Sequence, residues 1–180
     1  MLGGYYREGL QSGEKALHIV DPALCADHRQ RLLALGIDVN GCERSGQFQL
    51  TTPEETYLAG GVFDPDKMLA RVAEVIAAAK ERGFPRTRVM GKMDWAFSGA
   101  PGTDRLIEYE ARVNEVLART RQPGICVYDS SLLTGAAMLD VLRCHPLMLV
   151  NGAVHENPFF TPPDIFAAEL SRRGQSTAAS

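Results

Sequence analysis

Arg86-Thr87-Arg88-Val89-Met90-Gly91-Lys92-Met93-Asp94-Trp95 decides the fold. Its first five residues are short and β-prone, and they run directly into an acid beside the only tryptophan of the chain. On the N-terminal side, residues 67–82 carry Met68, Leu69, Val72, Val75, Ile76 and Ala79 on one helical face. Asp64-Pro65-Asp66 supplies a helix start and Gly83 a stop. On the C-terminal side, the loop Ser98-Gly99-Ala100-Pro101-Gly102 leads into a helix predicted over 103–120, with Leu106, Tyr109, Val113, Val116 and Leu117 facing inward. A strand held between two amphipathic helices is the repeating unit of a parallel sheet.

The same alternation extends to both ends. Lys15-Ala16-Leu17-His18-Ile19-Val20 reads as a buried strand that opens at Asp21-Pro22. Leu24, His28, Leu32 and Leu35 then recur at helical spacing up to Gly36, and Gln47-Phe48-Gln49-Leu50 alternates as a second strand. In Thr51 to Tyr57, Thr52 can cap a helical turn, with Pro53 in its first turn and Glu55 at the third position. Gly124-Ile125-Cys126-Val127-Tyr128-Asp129 is a further apolar run ending in an aromatic residue and an acid. A helix over 132–143 places Met138, Leu139 and Leu142 toward the core, 147–150 is a candidate buried strand, and 164–172 is a closing helix. The expected fold class is α/β, three layers with a mostly parallel central sheet. The expected organisation is one domain over 1–172 with a small, polar, frayed tail over 173–180.

Composition excludes several classes. A chain of 180 residues that is 45% hydrophobic suits one adequate core. A net charge of −3 without a basic stripe argues against direct nucleic-acid binding. No run of apolar residues is long enough to span a membrane, and Met1-Leu2-Gly3-Gly4-Tyr5-Tyr6-Arg7 lacks the pattern of a signal peptide, so a cytoplasmic protein is expected. Cys25, Cys42, Cys126 and Cys144 have no C-x-x-C spacing and read as reduced, partly buried thiols.

In parallel sheets ligands bind outside the carboxyl ends of the strands. Asp21, Asp94, Trp95, Tyr128 and Asp129 all fall at predicted strand ends, which gathers them on one edge. No catalytic machinery accompanies them. Gly9-Leu10-Gln11-Ser12-Gly13-Glu14-Lys15 has a tempting glycine spacing, but Glu14 precedes the lysine, Ala16 stands where a magnesium-binding hydroxyl belongs, and the segment enters a strand instead of following one. Gly60-Gly61-Val62-Phe63 is too short for a dinucleotide fingerprint. Ser130, Asp129 and His145 do not sit in a nucleophile elbow.

Glu108 and Glu110, two apart on one helix, point in different directions and make no acid–base pair. Glu110 and Asn114 share a face, either contacting a ligand or anchoring the helix to loop backbone. His18 and His28 read as partly buried, satisfied histidines, and His145 as a strand-entry residue able to bond a loop or ligand. Cys144-His145 with a distant third ligand has no finger-like zinc spacing, so neither a metal nor a cofactor is expected.

A set of short motifs occurs in a characteristic order: Gly9-Leu10-x-x-Gly13-Glu14-Lys15, Gly36-Ile37-Asp38, Tyr57-Leu58-x-x-Gly61-x-Phe63-Asp64-Pro65-Asp66, Gly91-x-Met93-x-Trp95, Tyr109-Glu110-Ala111-Arg112-x-Asn114, Cys126-x-Tyr128-Asp129 and His145-Pro146. Together they resemble the MEDS sensory domain (methanogen/methylotroph, DcmR sensory), over about residues 5–166. The resemblance implies a RecA/KaiC-like fold that has lost its phosphate-binding loop. It also implies a sensory module working with DNA-binding domains or histidine kinases, with small hydrocarbon derivatives as ligands. Two departures stand out. The family's usual first strand, with a histidine and an aromatic residue, is expected to be missing ahead of Gly9 or supplied by a partner. Lys92 also stands where the family tends to have an acid.

The functional expectation is a non-enzymatic sensory domain that binds a small, partly apolar molecule. Its candidate ligand-binding residues are Met93, Asp94, Trp95, Glu110, Asn114, Tyr128, Asp129 and His145. Its signal would pass to a histidine kinase, a transcription regulator or a second copy of the chain. The alternatives are a divergent nucleotide-binding protein depending on Lys15, and an interaction module using the leader and an exposed first strand as a dimer edge.

Overall fold

The computed structural model describes residues 2–178, those from 174 onward by backbone alone. Four strands make the central sheet: β1 (Lys15–Ile19), β2 (Phe48–Thr51), β3 (Thr87–Lys92) and β4 (Gly124–Val127). Their order is β2-β1-β3-β4 and every pairing is parallel. The chain moves from β1 outward to β2, then crosses back over β1 to reach β3. The sheet therefore has its topological switch point between β1 and β3, where this architecture opens a crevice.

Every residue of β1 is buried, as a central strand covered on both faces requires. Strand alternation sends Ala16 and Val20 into one core with Tyr6, Leu32, Ile37, Val39, Phe48 and Met90. Leu17 and Ile19 go into the other, with Met68, Leu69, Val72, Ile76, Leu106, Tyr109 and Val113. The first core lies under α1 (Gly3–Gln11), α2 (Cys25–Ala34) and α3 (Val39–Ser45); the second lies under α4 (Pro65–Glu81) and α5 (Leu106–Thr120). Beyond α5 pack α6 (Gly135–Cys144) and α7 (Pro163–Ala178), where Phe166 is fully buried against Ala111 and Cys144.

The α4 start is built as its sequence predicts. The Asp64 carboxylate accepts hydrogen bonds from the backbone N–H groups of Asp66 and Lys67 at 3.0 and 3.3 Å, with Pro65 in the first turn. Gly83 ends the helix at φ +86°. The predicted helix over 103–120 opens as a 3-10 turn, Thr103–Arg105, before becoming α5.

Several expectations are corrected. Residues 3–11, read as a leader, form α1, which Arg88 clamps to β3 by bonding the Glu14 carboxylate and the Tyr5 carbonyl while its guanidinium lies over the Tyr5 ring. Residues 39–45, given no element, form α3, capped by Asp38. Thr52 and Glu55 exchange the expected capping-box hydrogen bonds and are followed by turns. Residues 147–150 are not a buried strand of the sheet. As β5 (Leu147–Val150) they pair antiparallel with β6 (Ala153–Glu156) in a separate exposed hairpin, closed by Asn151 and Gly152 at φ 50° and 87°. The first strand is no free edge, since β1 pairs on both sides. The frayed tail expected over 173–180 is instead helical backbone of α7 as far as Ala178, and residues 179–180 lie outside the described residues.

Candidate functional site

At the carboxyl ends of β1, β3 and β4 a cleft of about 640 Å³ opens on the α1/α2 side of the sheet. Val20, Met90 and Val127 form its floor, and Tyr6, Leu32 and Leu35 its walls. Asp27, His28, Arg31 and Lys92 supply its polar groups. The cleft thus coincides with the switch point between β1 and β3. Apolar lining with a few convergent polar groups is the composition of small-molecule sites.

Beneath the cleft His18 is 1% exposed and shares a 2.8 Å hydrogen bond, Nδ1 to Nε2, with His28. Its own Nε2 has no partner. Tyr6 and Phe48 pack against its ring. Burial, reinforced by His28, lowers the His18 imidazole to a pKa of about 3 and keeps it neutral. Burial also lowers that of His28.

The residues nominated from sequence separate into three groups. Met93 and Trp95 are core residues, 0% and 7% exposed. Trp95 stacks on Tyr57 at 4.6 Å between centroids and meets Phe63 edge-on at 5.0 Å. Tyr109 completes this aromatic cluster. Gly91 is required beside it, because a Cβ there would stand 2.7 Å from the Tyr57 hydroxyl.

Asp94 and Asp129 form a clasp at the strand ends. Asp94 pairs with Lys92 and accepts a hydrogen bond from the Asp129 N–H at 2.9 Å. Asp129 in turn accepts from the Ser131 hydroxyl and N–H. The Ser131 hydroxyl, then its N–H, and the charge of Lys92 hold the Asp129 carboxyl below its ordinary pKa.

Glu110, Asn114, Tyr128 and His145 come together on the α5 side of β4, joined by Cys126, which was not nominated. Glu110 is 0% exposed. Its Oε2 lies 3.2 Å from His145 Nε2 and accepts a hydrogen bond from the Cys126 thiol at 3.4 Å. His145 Nδ1 bonds the Val141 carbonyl at 2.8 Å. Asn114 donates to the Cys144 carbonyl, which anchors the end of α6 from which His145 projects. Burial opposes the imidazolium of His145, but the Glu110 carboxylate and the Val141 carbonyl outweigh it and raise its pKa. Burial and the Glu110 charge push the Cys126 thiol and the Tyr128 hydroxyl well up, so both keep their protons. Sequence parity carried the missing information: Cys126 and Tyr128 share one face of β4, while Val127 between them faces the cleft.

Lys15 lies at the opposite end of β1 from the cleft, its ammonium bonded to the Gly46 carbonyl at 2.9 Å. After β1, where a phosphate loop would stand, the Asp21 carboxylate accepts from the Ala23 N–H at 2.8 Å. A carboxylate already occupies that anion-favouring turn. All four cysteines are free thiols. No helix among the described residues is long and apolar enough to cross a membrane.

This architecture is that of the KaiC/RecA-like α/β class. A KaiC-like protein from Pyrococcus horikoshii OT3 superposes with a TM-score of 0.52 over 83% of this chain and 65% of that one, at 14% identity, a likeness of fold. The MEDS family, described as the methanogen/methylotroph, DcmR sensory domain, matches residues 1–146, and the chain belongs to it. The match ends just past His145, so the exposed hairpin and α7 lie beyond it. The transcriptional repressor DcmR of Methylorubrum extorquens is 31% identical over 81 residues, 44% of this chain and 30% of that protein. The chain thus matches less than a third of the length of this curated relative.

Proposed function

We propose that this chain is a ligand-sensing domain in transcriptional or signal-transduction control, with a small, partly apolar molecule bound in the cleft at the β1/β3 switch point. The observation that carries this reading is the cleft itself: about 640 Å³, apolar across Tyr6, Val20, Leu32, Met90 and Val127, with ionic and imidazole groups from Asp27, His28, Arg31 and Lys92. Such a site desolvates a short hydrocarbon body and fixes one polar end. Membership in a sensory-domain family and the partial match to a protein named as a repressor support the regulatory setting. The earlier candidates take supporting roles: the Asp94–Asp129 clasp fixes the strand ends that frame the cleft, and Trp95 stiffens the opposite face.

The output passes to a protein partner or a second copy. The hairpin β5–β6 supports that role, because Leu147, Leu149, Val150 and Val154 are all exposed on it.

The test is a thermal-shift panel of short alcohols, amines and halogenated hydrocarbons on the wild type and on Leu32→Trp, which fills the cleft. A stabilising compound whose effect disappears in the filled variant is the expected result. Stabilisation that persists undiminished in a folded Leu32→Trp protein would overturn the assignment of the cleft.

A further inference from the structure

Glu110 of α5, Cys126 of β4 and His145 at the end of α6 are distant in sequence, yet each presents one donor atom, and the three atoms lie within 4.8 Å of one another. Two of the separations, 3.2 Å for oxygen to nitrogen and 3.4 Å for oxygen to sulfur, fit tetrahedral edges around an ion with bonds of about 2.0–2.3 Å. Glu110 is fully buried, and its second oxygen, Oε1, and the adjacent Tyr128 hydroxyl make no hydrogen bond of good geometry, although the hydroxyl lies near enough to the carboxylate to interact with it. A buried carboxylate oxygen without a partner is costly and needs an explanation.

His145 is oriented as a ligand would be. With Nδ1–H donated to the Val141 carbonyl, Nε2 faces Glu110 Oε2 at 3.2 Å. Backbone bonding of one ring nitrogen to aim the other is the arrangement that supports metal-bound histidines. Asn114 holds the Cys144 carbonyl and so fixes the backbone immediately before that ring.

We propose that Glu110, Cys126 and His145 form a binding site for a single borderline divalent transition ion of the zinc class, with a fourth position open. One sulfur, one nitrogen and one oxygen donor match that class. On binding, the Cys126 Sγ–H bond breaks and its proton leaves to solvent. The sulfur electron pair forms the metal bond, the Nε2 lone pair and a carboxylate oxygen complete three ligands, and no electron is transferred. Thiolate and carboxylate together neutralise the dication, so the site holds no net charge in the interior. This site lies across β4 from the cleft and does not depend on the cleft's being a ligand site.

The experiment uses the full chain, stripped with a chelator and confirmed folded by circular dichroism, then titrated with Co²⁺. One equivalent should bind with a thiolate-to-cobalt charge-transfer absorption, which Zn²⁺ bleaches. Cys126→Ser should abolish the band, His145→Ala should weaken binding by more than the about 10–100-fold that losing a mere supporting partner costs, and Cys42→Ser should change nothing. Absence of the band in the folded wild type would overturn the proposal, without requiring any variant to fold. So would a band that survives Cys126→Ser or depends on Cys42.

Discussion

Two residues show how far burial sets behaviour at the smallest scale. Trp95 invites a ligand-facing role by standing beside an acid at a strand end, but its ring is packed on Tyr57 and Phe63. Trp95→Ala should therefore lower unfolding free energy by about 3–5 kcal/mol, measured by urea denaturation, whether or not ligand is present. His18 makes a pH prediction. Its pKa is near 3 in the folded chain against an ordinary value of 6.5. Below pH 6.5 the unfolded state takes a proton that the folded state refuses, so the full stability present above that pH falls as acid is added toward pH 3. The slope approaches about 1.4 kcal/mol per pH unit. Denaturant midpoints from pH 7 to 4 should fall less steeply in His18→Gln than in the wild type.

Elements formed where local chemistry and tertiary context agreed. The cap, proline and apolar stripe of α4 all point to the same helix, and Asp64→Ala should lower the melting temperature, read by circular dichroism, by removing the cap of its first turn. The Thr52–Glu55 box makes its hydrogen bonds and still nucleates only turns, since no apolar helical stripe follows to be buried. The β5–β6 hairpin is legible in the sequence: Asn151-Gly152 between two apolar runs is a strong turn signal, and it outweighs the apolar run that suggests another sheet strand. α1 escaped because its buried face uses glycines, Gly3 and Gly9, with Tyr6, so hydrophobic periodicity scarcely marks it.

Across the whole molecule, the sheet sorts its chemistry by strand parity. β4 sends Val127 to the cleft and Cys126 to the Glu110–His145 cluster, and β3 ends with Lys92 at the cleft and Met93 in the opposite core. The sequence by itself determined the α/β class, the parallel strands, the best-capped helix and the family, because each rests on local periodicity, capping or ordered motifs. It also nominated Glu110 itself and two of the residues beside its buried carboxylate, Tyr128 and His145. Only the tertiary structure decided the strand order, and with it the switch-point cleft. It alone brought Cys126 into reach of Glu110 and His145 and removed Trp95 from solvent. Those outcomes depend on which helix crosses which strand and on which face each side chain is buried, relations between segments far apart in the chain that no local spacing encodes.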